Sequence, residues 1–188
     1  MIYYISDTHF KDQKIFDKCS RPFASLDEME KTVVEKWNKK VKNGDTVYVL
    51  GDIGKDDDPS TILIFSRLNG LKHLLVGNHD HEMLEEIKKS GMFESVKFID
   101  LIEDSGFKVC LCHYPLMDWM EFNRSGLLVY GHIHNKTEKN GPAYKQIKDY
   151  YKNLPAYNCG VDVIDFEPKT LEELINIKKE KENEPYIH

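Results

Sequence analysis

The sequence predicts an α/β sandwich, with sheet inside and helices outside. Between residues 2 and 90, short β-favouring runs alternate with stretches of helical periodicity. Between residues 95 and 132, three strand-like runs follow one another with no long helix between them. A further observation bears on function: five of the predicted strands stop at residues able to bind a metal ion.

The first strand is "IYYI" at 2–5. A helix begins after Ser25, with Glu28 completing a capping box, and Leu26, Met29, Val33, Val34, Trp37 and Val41 recur along one face. "NGD" at 43–45 breaks that helix, and "TVYVL" at 46–50 is the second strand. Pro59 opens a helix with Ile62, Phe65 and Leu68 on its apolar face. "KHLLV" at 72–76 is the third strand, followed by a short helix from Glu82 that stops before Gly91. "SVKFIDLI" (95–102), "FKVCLCHY" (107–114) and "LLVYGH" (127–132) read as strands of an antiparallel or mixed sheet. After a polar stretch come "AYNCGVDV" (156–163) and a last helix near 170–182.

The 188 residues suit one well-cored domain, 1–188, in which 183–188 is a frayed charged tail. A hydrophobic fraction of 40% with 31% charged residues is that of an ordinary globular chain. No apolar run reaches the ~20 residues that span a bilayer. The first ten residues lack the basic start of a signal peptide, so the expected location is cytoplasmic. Cys19, Cys110, Cys112 and Cys159 have no C-x-x-C spacing, which excludes zinc-ribbon and thioredoxin readings; Cys110 and Cys112 would share a face of an extended segment as small core residues. A net charge of −6 argues against extended duplex nucleic acid as a partner. It leaves a phosphate substrate open, because a local metal can reverse the sign of the field.

The polar clusters all fall at strand ends. Asp7 and His9 follow the first strand, Asp52 the second, and Asn78, His79 and Asp80 the third. His113 ends the strand at 107–112, and His132 with His134 ends the one at 127–130. Open α/β sheets gather ligands at the carboxyl ends of their strands, so these positions are expected to converge. Residues two apart, as in Asp7/His9 and His132/His134, share a face on extended chain and diverge on a helix. Gly51, Gly77 and Gly131 precede three of the clusters and permit a sharp turn. His73, His81 and His188 lie outside this pattern, and His73 is expected to be structural.

The ordered set "DTH … GD … GNHD … H … GHIH" resembles the calcineurin-like metallophosphoesterase superfamily over residues 5 to about 165. "RPF", "LNGLKHLLVGNHD", "HYP" and "NCGVD" are similar to a subgroup of small bacterial and phage-encoded phosphoesterases. The resemblance implies a β-sandwich of mixed sheets flanked by helices and holding two metal ions. By position, Asp7, His9, Asp52 and His134 would bind one, and Asp52, Asn78, His113 and His132 the other. Imidazole with carboxylate suits Mn²⁺, Fe²⁺ or Zn²⁺. His79 would stay unligated beside the second metal and protonate the leaving oxygen. For Asp80 two readings stand: it orients that imidazole, or it N-caps the next helix. Relatives often carry "FGH" after the first motif where this chain has "FKD" (Phe10, Lys11, Asp12).

The expected activity is hydrolysis of small or nucleotide-type phosphodiesters by a hydroxide held between the two metals. The alternatives are a phosphomonoesterase or protein phosphatase, and a non-catalytic binding scaffold of the same fold. Retention of His79 and every ligand argues against the scaffold. Arg21 and Arg124 either reach a substrate phosphate or form ordinary surface ion pairs. Residues 135–157 set five lysines against Glu138 and Asp149 and interleave four tyrosines. That segment is either a nucleotide contact through Lys145 and Lys148, or a solvated helix whose tyrosines face the core.

Overall fold

The computed structural model describes residues 1–135 and 142–183. Two four-stranded sheets form its centre. The first has the order β1 (Ile2–Ile5), β2 (Thr46–Val49), β3 (Leu71–Leu75), β4 (Ser95–Lys97), with every neighbouring pair parallel. The second has the order β5 (Ile99–Asp104), β6 (Phe107–Cys112), β7 (Leu127–Tyr130), β8 (Ala156–Asn158). Its β5–β6 pair is antiparallel and its other two pairs are parallel. The expected α/β sandwich is therefore present, with a mixed second sheet.

Period-two alternation divides the second sheet between two cores. Val109, Leu111, Leu127 and Val129 join the main core with Tyr3, Tyr4, Ile5, Val47 and Val49 of the first sheet. Cys110, Leu128 and Tyr130 point the other way, into a smaller core with Trp119, Tyr144 and Tyr151. In the first sheet β1 is buried almost continuously, β2 alternates, β3 is buried only at its carboxyl end, and β4 has no fully buried residue.

The helices follow their local signals closely. The first, α1 (Gln13–Lys18), was not legible as a periodic pattern; Asp12 caps it by accepting from the Ile15 N–H at 3.0 Å. In α2 (Leu26–Lys40) Ser25 Oγ accepts from Glu28 N–H, and Glu28 reaches back to Ala24 N–H at 2.7 Å, one residue earlier than a standard capping box. Met29, Val33, Trp37 and Val41 bury the predicted face. Pro59 is the N-cap of α3 (Ser60–Phe65), so the helix starts one residue after the expected position. A 3₁₀ turn at His81–Met83 leads into α4 (Leu84–Ser90), which Gly91 ends at φ 64°. The polar stretch contains α5 (Pro142–Tyr151), and α6 (Leu171–Asn183) comes last. Residues 184–188 lie outside the described part, and with them most of the expected tail and His188.

Strand direction positions the site. The carboxyl ends of β1, β2, β3, β6 and β7 all carry a predicted cluster. β5 runs against β6, so its carboxyl end lies at the opposite rim, and it carries none. Past β1 the chain joins the two sheets: Ser6 N–H donates to Cys159 O at 2.9 Å, and Asp7 N–H to Gly51 O at 3.0 Å.

Candidate metal centre

Two groups of side chains meet at this rim. Asp7, His9 and His134 form one, and Asp52, His113 and His132 the other; within each, the possible ligand atoms lie within 4.8 Å of one another. Asp52 links them. Its Oδ2 is 3.5 Å from His9 Nε2 and 3.5 Å from His113 Nε2. Asn78 joins the second group, its Oδ1 3.2 Å from His113 Nε2. The groups also interlock through the backbone, because His132 N–H donates to both oxygens of Asp7, at 3.1 and 3.0 Å.

The backbone here is strained in a consistent way. Asp7, His9, Asp52, His132 and His134 all have positive φ, from 46° to 70°. Each such residue costs roughly 1–2 kcal/mol where the side chain is not glycine, and strain of this kind collects at functional sites. It turns each side chain off the end of its strand and back toward the rim. Gly77 shows why the chain breaks so abruptly after β3: a Cβ there would lie 2.3 Å from Asp52 Oδ1. At Gly131 a Cβ would lie 2.0 Å from Ser6 Oγ.

The residues fit a pair of cations on chemical grounds. Asp7 and Asp52 are both buried carboxylates, an arrangement that is costly without positive charge nearby. Burial, and then the charge of Asp7, pushes the Asp52 carboxyl up to about 7. His9 is fully buried and, among the described residues, neither of its ring nitrogens has a hydrogen-bond partner. An imidazole in that state has a lone pair with nothing to accept it except a proton or a metal.

Neighbouring groups set the histidine tautomers. His113 Nδ1 donates to Leu50 O at 2.7 Å, which leaves the Nε2 lone pair facing Asp52 and Asn78. His134 Nδ1 lies 2.7 Å from Asp162 Oδ2 and 3.6 Å from Cys19 Sγ, so its Nε2 faces Asp7. Against the effect of burial, Asp162 and Asp7 hold the His134 imidazole up at about 10. His79 Nδ1 bonds to Asp56 Oδ1, and its ring is 5.0 Å from that of His9. With Nδ1 engaged, Nε2 is the nitrogen left for chemistry.

Several placements differ from expectation. Asp80 neither orients His79 nor caps the following helix. It is buried, and its carboxylate accepts from the backbone N–H groups of Asp52, Ile53 and Gly77 at 2.9, 3.0 and 2.7 Å, tying the ends of β2 and β3 together. Asp56 takes the orienting position instead. It lies in the acidic run "KDDDP", whose three neighbouring aspartates gave no reason to prefer one. Asp162 belongs to "NCGVD" and was likewise legible only as part of that string. Cys110 and Cys112 are buried as expected, Cys159 is buried as well, and Cys19 is half-buried with its Sγ 3.6 Å from His134 Nδ1.

The basic residues are also placed differently. Arg21 is only 5% exposed, and its guanidinium donates to Asp162, to Thr8 O at 2.8 Å and to Asp7 O at 2.7 Å. It braces the loop beneath the centre and leaves no donor facing a substrate. Arg21→Met is expected to destabilise the metal-free chain by about 3–5 kcal/mol, because it leaves the Asp162 carboxylate with His134 alone and unpairs Thr8 O and Asp7 O. Urea unfolding in chelator measures this, and a loss under about 1 kcal/mol would contradict the bracing role. Arg124 is exposed, and its Nη1 lies 3.4 Å from Glu121 Oε1. Lys145 and Lys148 lie on the exposed side of α5, with Lys148 Nζ 4.9 Å over the Tyr144 ring. Lys148 also borders a cavity of about 250 Å³ that reaches His134. Tyr144 and Tyr151 face the smaller core, as the second reading of that segment expected; its residues 136–141 lie outside the described part. His73 is structural, bonded to Ser95 Oγ at 2.8 Å and stacked on Tyr48.

A rim where two sheets deliver histidines and carboxylates in two adjoining groups defines an α/β-sandwich protein built to bind metal. Residues 1–166 match the family described as calcineurin-like phosphoesterase, and the chain belongs to that family. It is 32% identical over 179 residues to an uncharacterized protein of Methanocaldococcus jannaschii, covering 94% of this chain and 90% of that one. It is 26% identical to the Gene 66 protein of Mycobacterium phage L5, over 71% of this chain and 77% of the other. Among solved structures, a protein of unknown function from Aquifex aeolicus superposes with a TM-score of 0.71 at 28% identity, over 94% of this chain and 98% of that one. A novel archaeal phosphodiesterase superposes at 0.50 with 20% identity, over 85% and 82%, and shows the fold alone. No helix among the described residues is long and apolar enough to cross a membrane.

Proposed function

We propose that the chain hydrolyses phosphodiesters, small or of nucleotide type, with two divalent cations bound at this rim. Asp7, His9, Asp52 and His134 would hold one, and Asp52, Asn78, His113 and His132 the other. The observation that carries this reading is Asp52 Oδ2, equidistant at 3.5 Å from the Nε2 atoms of His9 and His113. A carboxylate oxygen so placed suits a ligand shared by two cations. The imidazole and carboxylate donors suit Mn²⁺, Fe²⁺ or Zn²⁺. Such cations supply Lewis-acid stabilisation of charge on the phosphoryl oxygens and lower the pKa of a nearby water.

The protein's own groups do the remainder. Asn78 and His79 follow Gly77 on the loop that Asp80 anchors, and His79 N–H donates to Asp52 Oδ1 at 2.9 Å. His79 is 28% exposed at its side chain. It holds a proton at Nε2 for the departing alkoxide while Asp56 accepts from Nδ1. The preference for diesters rests on charge. Arg21 is buried, and the carboxylate of Asp56 adjoins His79. A singly charged diester meets less repulsion there than a dianionic monoester.

The test is an assay after chelator stripping and reconstitution with Mn²⁺, Fe²⁺ or Zn²⁺ separately, pairing bis-p-nitrophenyl phosphate with p-nitrophenyl phosphate and cyclic nucleotides with mononucleotides. A diester kcat/KM at least about 10-fold above that of the monoester, a difference of ~1.4 kcal/mol, is expected. The reverse order would identify a phosphomonoesterase. No turnover with both cations bound would identify a binding scaffold.

A further inference from the structure

The chain that follows His113 carries three exposed apolar side chains, Tyr114, Met117 and Met120. Tyr114 is 38% exposed, and its ring centroid lies 5.0 Å from that of His113 and 4.9 Å from that of His132. Its hydroxyl has no hydrogen bond among the described residues. Met117 is 70% exposed and Met120 is 37% exposed, only three and six residues further on. Exposed apolar side chains grouped beside a polar site mark a contact surface.

This segment is not a loose loop. The Tyr151 hydroxyl donates to Leu116 O at 2.7 Å, and the Tyr150 hydroxyl donates to Met117 O. Trp119 Nε1 donates to Gly126 O at 2.9 Å, and its ring packs on Phe122 at 4.4 Å. Two tyrosines of α5 thus fasten the backbone on which Tyr114 stands. A ring held in place before binding loses little conformational entropy when a ligand stacks on it.

The position of Tyr114 relative to His79 gives the surface a specific use. His79 touches His9 of the first group, whereas Tyr114 touches His113 and His132 of the second. An ester spanning both groups presents one alcohol to each. We propose that Tyr114, with Met117 and Met120, forms a subsite for the ester group that stays on phosphorus, and that this group is a planar aromatic ring such as a nucleobase or phenyl. Tyr114, Met117 and Met120 offer apolar surface with the exposed carboxylate of Asp118 between the two methionines, so the segment favours a neutral ring over a second phosphate. The proposal rests on the phosphodiesterase reading above and adds which substrates that activity selects.

Three diesters with one common leaving group test it: the methyl, phenyl and thymidine-5′ esters of p-nitrophenyl phosphate. Stacking on one aromatic side chain is worth roughly 1–3 kcal/mol, so the aromatic esters are expected to have KM values about 10-fold below the methyl ester. Tyr114→Ala should bring the aromatic-to-methyl KM ratio to about 1, with both cations still bound by elemental analysis, and Tyr114→Phe should keep it. Met117→Ser should reduce the ratio part-way. An unchanged ratio in Tyr114→Ala, or a loss shared equally by all three esters, would overturn the subsite. Calorimetric binding of phenyl phosphate and methyl phosphate to the metal-loaded chain needs no turnover. If no ester is cleaved but phenyl phosphate still binds more tightly and Tyr114→Ala removes the difference, the activity fails and the subsite stands. Equal binding of the two ligands by the parent chain sinks the subsite alone.

Discussion

Asp52→Asn is expected to leave a folded chain that binds less than about one cation and cleaves esters about 10³-fold more slowly, the scale of losing a central electrostatic group. The substitution is nearly isosteric. Its remaining oxygen can still accept from His79 N–H, as Asp52 Oδ1 does at 2.9 Å. What it removes is the negative oxygen that stands between His9 and His113. Either group alone retains three candidate donors, but the repulsion between two cations is then offset by no shared carboxylate. Elemental analysis after dialysis gives the stoichiometry, and the assay of the parent substrates gives the rate. Full occupancy by both cations in Asp52→Asn would show that each group holds its ion independently, and the shared role of Asp52 would be lost.

The sequence was legible at this site because the fold is regular there. Each cluster follows a short β-favouring run, and parallel strands bring carboxyl ends to one rim, so Asp7, Asp52, Asn78, His113 and His134 could be gathered from sequence order alone. The groups that position them could not. Asp56, Asp162 and Cys19 sit on loops, where neither period-two nor helical patterning marks a partner, and their contacts depend on how distant segments pack. Arg21 read as either a phosphate contact or a surface ion pair because arginine is commonly exposed. Only the packed structure reveals Asp162, Thr8 O and Asp7 O around it. Asp80 taught the same lesson in reverse. Its position before a helix suggested a cap, but the three N–H groups that it accepts from belong to the ends of β2 and β3. The helix α5 was one of two readings of its segment, because tyrosines among lysines also read as a polar binding segment.

His79→Ala is expected to keep both cations and to lose activity in proportion to how poor the leaving group is. His79 is not among the groups whose ligand atoms converge, and its Nδ1 is held by Asp56, so its loss should not disturb metal binding. General acid catalysis contributes about 10²–10⁴-fold where the leaving alkoxide is strongly basic. For p-nitrophenolate, which departs without help, the loss should be within about 10-fold, and for alkyl esters it should approach the upper part of that range. A series of diesters graded by leaving-group basicity therefore yields a steeper slope in His79→Ala than in the parent chain. Asp56→Ala should steepen the slope in the same sense but less, by the 10–100-fold typical of a group that orients another. Parallel slopes for all three proteins would mean that His79 binds the ester without transferring a proton. A steep slope for His79→Ala with a parental slope for Asp56→Ala would leave the acid in place and remove Asp56 as the residue that positions it.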